Sequence, residues 1–179
     1  MVGPLNRQVS DGALLDVRDF YEMYWDEPSP LTLNERLARE LGFSGLDSKI
    51  ISELGIPKCA APHLSFGGLE SLDSERILIG EDGNERSIVY RISDRNVHVL
   101  AEGGVKSIAI GLDGLIFTLV MYAAMVELAI GIDRDAFRTN SIPRTLVDKF
   151  CAVYCSEFAG IFQGGFIEEE VDRLTKTRN

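Results

Sequence analysis

The chain has 179 residues, is 45% hydrophobic and 26% charged, and carries a formal net charge of −10. That length and balance predict one globular domain with its own core and exclude a globally disordered chain. The acidity works against nucleic-acid phosphates and anionic lipid, so the expected partner is a basic protein, with no direct nucleic acid and no membrane.

Three cysteines, Cys59, Cys151 and Cys155, make no disulfide framework and suit a reducing cytoplasm. MVGPLNRQVSDG at the start lacks the apolar run of a signal peptide. Residues 1–12 read as a loose arm and 13–179 as a single domain.

In DVRDFYEMYW, Val17, Phe20, Tyr21 and Tyr24 fall on one helical face, with Asp16 as cap and Pro28 and Pro30 as stops. Thr32 and Glu35 have capping-box spacing ahead of Leu33, Leu37, Ala38 and Leu41. Asp47 is the candidate cap of a further short helix, which Gly55 and Pro57 end. Beyond Pro57 the period becomes two. Ile77 and Ile79, then Ile88, Tyr90 and Ile92, then Val97 and Val99, then Ile108 and Ile110 predict four strands of an antiparallel meander. Helix returns from Asp113 to about Ile130. Its most apolar segment, LIFTLVMYAAM, is shorter than the ~20 residues that cross a bilayer, so a buried helix is predicted. Another helix follows Ser141 as cap, with Pro143 in its first turn and Ile142, Leu146, Phe150 and Tyr154 on its buried face. Gly160, Gly164 and Gly165 interrupt it, and Ile167, Val171 and Leu174 mark a last short helix. The sum is an α+β domain: a central antiparallel sheet of about four or more strands covered by helices, with helices at both ends of the chain.

The loop Gly80-Glu81-Asp82-Gly83-Asn84-Glu85 lacks EF-hand spacing and any Lys, Ser or Thr to hold a phosphate. It reads as a hairpin turn in which Gly83 or Asn84 takes a positive φ. Cys59, His63, Cys151 and Cys155 make a Cys3His set on paper, but without the C-x2-C knuckle of structural zinc sites. His98 alternates with Val97 and Val99 and reads as a surface or packing residue. No serine-hydrolase, metalloprotease, Walker or dinucleotide-binding motif occurs, so no enzyme, metal or cofactor is expected. Carboxylates and aromatics interleave in 11–27, as at binding surfaces. The candidate contacts for a partner are Asp19, Glu22, Trp25 and Asp26 there, with Glu81, Asp82 and Glu85 in the loop; all five acids other than Asp26 are expected to be exposed.

The order LGIP (54–57), ILIGEDGNERSIVYRIS, NVHVLAEGG and VKSIAIGLDGLIFTLVMYA resembles the SUKH superfamily of bacterial immunity proteins, most closely its fourth subfamily, over about residues 46–130. The resemblance implies a protein that binds a cognate polymorphic toxin, a nuclease or nucleic-acid deaminase, and occludes its active site. Two alternatives remain: a small-molecule-binding regulator or cleft enzyme, and an intracellular signalling scaffold.

Overall fold

The structure, a computed structural model, describes residues 30–175. The predicted arm, the helix on 16–25 and the candidate contacts Asp19, Glu22, Trp25 and Asp26 lie outside these residues.

Among the described residues, six strands form one sheet in the order β1 (Cys59–Ala60), β2 (Leu64–Ser71), β3 (Arg76–Asp82), β4 (Ser87–Arg91), β5 (Asn96–Ala101) and β6 (Gly104–Ile110). Each pairs antiparallel with the next, so the predicted meander is present. β1 and β2 were not expected. β1 is two residues long, and β2 (LSFGGLES) carries two glycines and a register shift between Phe66 and Glu70 that breaks its alternation.

The other strands bury what their period predicts. Ile77 faces Tyr90, Tyr90 faces Val97 and Ile88 faces Val99, all within the core cluster. Two expected strand residues fall differently: Ile92 lies past the end of β4, and Ile110 is exposed at the end of β6. His98 is buried, so it is not a surface residue; Val89 and Ser107 are its cross-strand neighbours.

Among the described residues, five α-helices accompany the sheet. α1 (Glu35–Leu41) is capped by Asn34, whose side chain accepts from the Arg36 N–H, so the Thr32–Glu35 capping box does not form. α2 (Gly45–Lys49) is capped by Ser44 instead of Asp47, and runs into a π-helical turn, Ile50–Leu54. α3 spans Gly111–Ile132, α4 Arg144–Phe162 and α5 Phe166–Thr175. Pro143 stands at the N-cap of α4 and Ser141 makes no cap bond, because proline's fixed φ already starts the helix. α4 kinks at Phe158.

α3, at 22 residues, contains the predicted span Asp113–Ile130 and extends it by two residues at each end. By length and composition it could cross a membrane, yet half of its most apolar window is buried within the fold. Tyr122 meets Phe150 edge-on at 5.9 Å and Phe117 meets Phe158 at 6.2 Å, locking α3 to α4. The Tyr154 hydroxyl donates to the Ile108 carbonyl at 2.5 Å, tying α4 to β6.

At Gly80 two strands approach too closely for a side chain. A Cβ there would lie 2.2 Å from the Ser65 carbonyl oxygen, which is backbone and cannot turn aside. Gly80→Ala is therefore expected to cost about 1–3 kcal/mol. A urea midpoint equal to that of the unsubstituted protein would contradict this packing.

Candidate partner-binding surface

The β3–β4 hairpin tip is a turn, as read, but its internal geometry differs from the expectation. Glu85 takes the positive φ, at 60°, and neither Gly83 nor Asn84 does. The cause is Asp82. Its carboxylate accepts from the backbone N–H of Asn84 at 3.0 Å and of Arg86 at 2.9 Å, and this side-chain ring sets the turn. Asp82 is buried, its side chain only 2% exposed, so the expectation that it would face solvent is wrong. The reason is a bulge. The β3–β4 register shifts between Leu78 and Gly80, so the strand phase flips: Gly80 and Asp82 turn inward and Glu81 outward.

Arg86 fastens this tip to the C-terminal helix. Its guanidinium reaches Asp82 at 2.6 Å and Glu169 of α5 at 3.7 Å, and lies 6.0 Å from the centre of the Phe166 ring. Lys106 of β6 holds the same Glu169 at 2.8 Å. Burial pushes the Asp82 carboxyl up, but the Arg86 bonds and the two backbone donors outweigh it and hold it below the usual carboxylate range. Glu81 and Glu85 alone keep the acidic exposure predicted for this loop. Glu81 stands between Ser65 and Ser87 on the sheet's outer side.

Arg86→Met tests the clamp. Asp82 would keep its backbone donors, so the expected loss is about 1–3 kcal/mol. Because the folded Asp82 pKa is depressed, its contribution is present above the ordinary carboxylate range and is lost as pH falls through the depressed value. The substitution should flatten that acid limb. An unchanged acid-unfolding curve would show that Arg86 does not hold Asp82.

Beside the tip lies an open groove of about 550 Å³, lined by Cys59, Ala60, Ala61, His63, Leu64, Ser65, Gly83 and Phe137. The hairpin tip and the β1–β2 turn touch here: a Cβ on Gly83 would sit 2.9 Å from the His63 Cβ. His63 follows a cis Ala61–Pro62 bond, has φ 64°, and its ring faces Phe137 at 6.0 Å. Cys151 and Cys155 are on α4, half-buried, and burial pushes the Cys151 thiol up to about 11, so it is protonated at neutral pH. The four-residue zinc set is not assembled: among the described residues, no three of His, Cys, Asp or Glu are grouped to hold a metal ion.

A second charged cluster was not foreseen. Asp47, fully buried in α2, accepts from Arg95 twice, at 2.7 and 2.9 Å. It also accepts from the Tyr90 hydroxyl at 2.7 Å, the Ser44 hydroxyl at 2.5 Å and the Leu112 N–H at 2.7 Å. Arg95 also donates to Asp113 at 2.9 Å. Gly111 packs flat on that guanidinium, since a Cβ there would come within 2.2 Å of it, and its φ of 75° favours glycine. The cluster joins α2, the β4–β5 turn and the start of α3. Burial raises the Asp47 carboxyl, but Arg95 and the other donors bring it below its ordinary value. Asp113, left with the weaker share of Arg95, is raised by burial and by repulsion from Asp47. Nothing in the local sequence around Asp47 or Arg95 marks this pairing, because the partners are 48 residues apart.

In a comparison with known protein families, curated proteins and solved structures, the chain matches none.

Proposed function

We propose that this chain is a SUKH-like cytoplasmic immunity protein that binds a basic toxin domain, a nuclease or nucleic-acid deaminase, and blocks its active site without chemistry of its own. The observation that carries the reading is the clamped hairpin tip. Arg86 neutralises Asp82 and fixes the turn, while Glu81 and Glu85 point into solvent on a chain of net charge −10. The clamp fixes the backbone that carries both acids, so less backbone freedom is lost on binding, and the overall charge steers a basic cleft towards it. Phe137, half-buried on the groove that Gly83 of the tip also lines, offers an aromatic contact near the tip. The test is to read the neighbouring genes for a polymorphic toxin and, with any toxin domain found there, to carry out co-purification followed by a protection assay in cells. Capture together with survival is the expected result; no capture and no protection would overturn the reading.

A second reading has one observation in its favour. The groove holding Cys59, His63 and Phe137 has room for a small ligand, which would suit a binding regulator or a cleft enzyme. Substituting His63 should leave toxin protection intact on the first reading and abolish function on the second. A signalling scaffold, the third reading, would instead draw host proteins in a pull-down.

A further inference from the structure

Val89 is fully buried, yet among the described residues it is the one buried apolar side chain outside the core cluster. Strand register gives the reason. Val89 stands between Leu78 and His98, and His98 stands beside Ser107. These four form a row across β3, β4, β5 and β6, on the face turned away from Ile88, Tyr90, Val97 and Val99. Leu78 and Leu100, half-buried on this outer face, lie outside the core cluster too. The Asn96 Oδ1 and the His98 Nδ1, two residues apart on the same strand face, are buried with no hydrogen-bond partner among the described residues. The described helices bury their apolar side chains in the core cluster, on the other face. An open sheet face leaves its central side chains partly wet, so a Val89 at 0% exposure and a His98 at 2% lie under a cover, and the burial is complete within the single chain.

We infer that residues 16–25 cross this outer face as a helix, with Val17, Phe20, Tyr21 and Tyr24 seated over Val89 and His98. Two segments lie outside the described residues, and 176–179 is the polar tetrapeptide KTRN. The other, 1–29, carries the one-sided apolar stripe that a sheet face accepts. The dimensions agree. Four strands at the usual spacing make the row about 14 Å long, and ten helical residues are about 15 Å long. Tyr21 and Tyr24 bring hydroxyls to a face where two buried polar atoms lack partners. The chain path allows it. Leu31 exchanges backbone hydrogen bonds with Ile56, three residues before the edge strand β1. The six residues from Trp25 to Leu31 reach up to about 20 Å, enough to round a sheet edge.

Seating that stripe has a consequence for the acids. Asp19, Glu22 and Asp26, at i, i+3 and i+7, fall on the opposite side of the helix and would face solvent. They would stand over the sheet face that carries Glu81, whose neighbour Ser87 alternates with Val89. The acids of the N-terminal segment and of the hairpin tip then make one surface. Its use against a toxin rests on the function proposed above; the docking itself does not.

Nuclear magnetic resonance of the full chain tests the docking without any toxin, so its failure is distinct from failure of the proposed function. Nuclear Overhauser cross-peaks should join the Val89 methyls to the rings of Phe20 or Tyr24. Their absence would overturn the inference, as would cross-peaks that a mixed-label sample assigns to contacts between two copies. Phe20→Asp with Tyr24→Asp should raise the fluorescence of an added naphthalene sulfonate dye at least about threefold while the circular dichroism of the sheet persists. Dye binding equal to that of the unsubstituted protein would contradict the cover. Phe20→Ala should lower the melting midpoint by about 4 °C, and by less than half of that in a Val89→Ala background. Equal shifts in the two backgrounds would show that the two residues do not meet.

Discussion

Asp47→Ala is expected to cost about 3 kcal/mol of folding stability, the lower end of the range for breaking a buried ion pair. The loss is large because one carboxylate satisfies five donors from three parts of the chain. Without it the Tyr90 O–H and the Leu112 N–H lose their buried acceptor, and Tyr90 keeps only the bond it accepts from the Ser44 N–H. It is not larger because Arg95, whose side chain is 32% exposed, keeps Asp113 and can turn partly to water. For a chain of this size the melting midpoint should fall by roughly 6–12 °C. Asp47→Asn keeps the shape and removes the charge, and an equal loss would assign the effect to the charge-assisted bonds. A midpoint within about 2 °C of the unsubstituted protein would contradict the role given to this cluster.

The two aspartates on Arg95 should respond to pH in opposite senses. Asp47 has a depressed folded pKa, so its contribution is present above the ordinary carboxylate range and is lost as pH falls through the folded value. Asp113 has a raised folded pKa, so its contribution is full below the unfolded value and is lost as pH rises through the folded one. Near neutral pH, Asp113→Asn should therefore cost far less than Asp47→Asn, under about 1 kcal/mol. Equal losses would show that the two carboxylates share Arg95 evenly.

Glu81→Lys with Glu85→Lys is expected to slow association with a basic toxin domain about tenfold at low salt. The change moves the net charge from −10 to −6, since each reversal adds two. Both residues are exposed and neither holds the turn, which Asp82 and Arg86 set, so the fold should be unaffected. Raising the ionic strength to about 0.5 M should shrink the difference to about twofold, because exposed charges are screened within a few ångströms there. Stopped-flow or surface-based association rates would read it. Salt-independent slowing would point to lost contacts in place of steering.

Much of the fold was legible because apolar residues recur at every second position within the strands from Ile77 to Ile108 and face one core. Where alternation broke, reading failed for identifiable reasons. Glycines and a register shift hid β2. The bulge after Leu78 exchanged the faces of Glu81 and Asp82, so one of three acids expected at the surface became the internal brace of the turn. Asp47 carried the composition of a helix cap, and only the folded chain reveals Ser44 in that place and Arg95 beside Asp47. The groove at His63 was equally hidden, since Phe137 joins it from a distant turn. What could be read of the candidate surface was its charge; which carboxylates reach solvent depends on strand phase, which a single bulge resets.

The central claim is that this chain silences a basic toxin by binding it through the hairpin tip. Its most direct test is titration of a basic toxin domain that captures the purified chain, with toxin activity followed. Activity should fall to zero at a fixed molar ratio, and the Glu81→Lys, Glu85→Lys protein should need a higher concentration to achieve the same at low salt. Full toxin activity in a large excess of the unsubstituted chain would contradict the account.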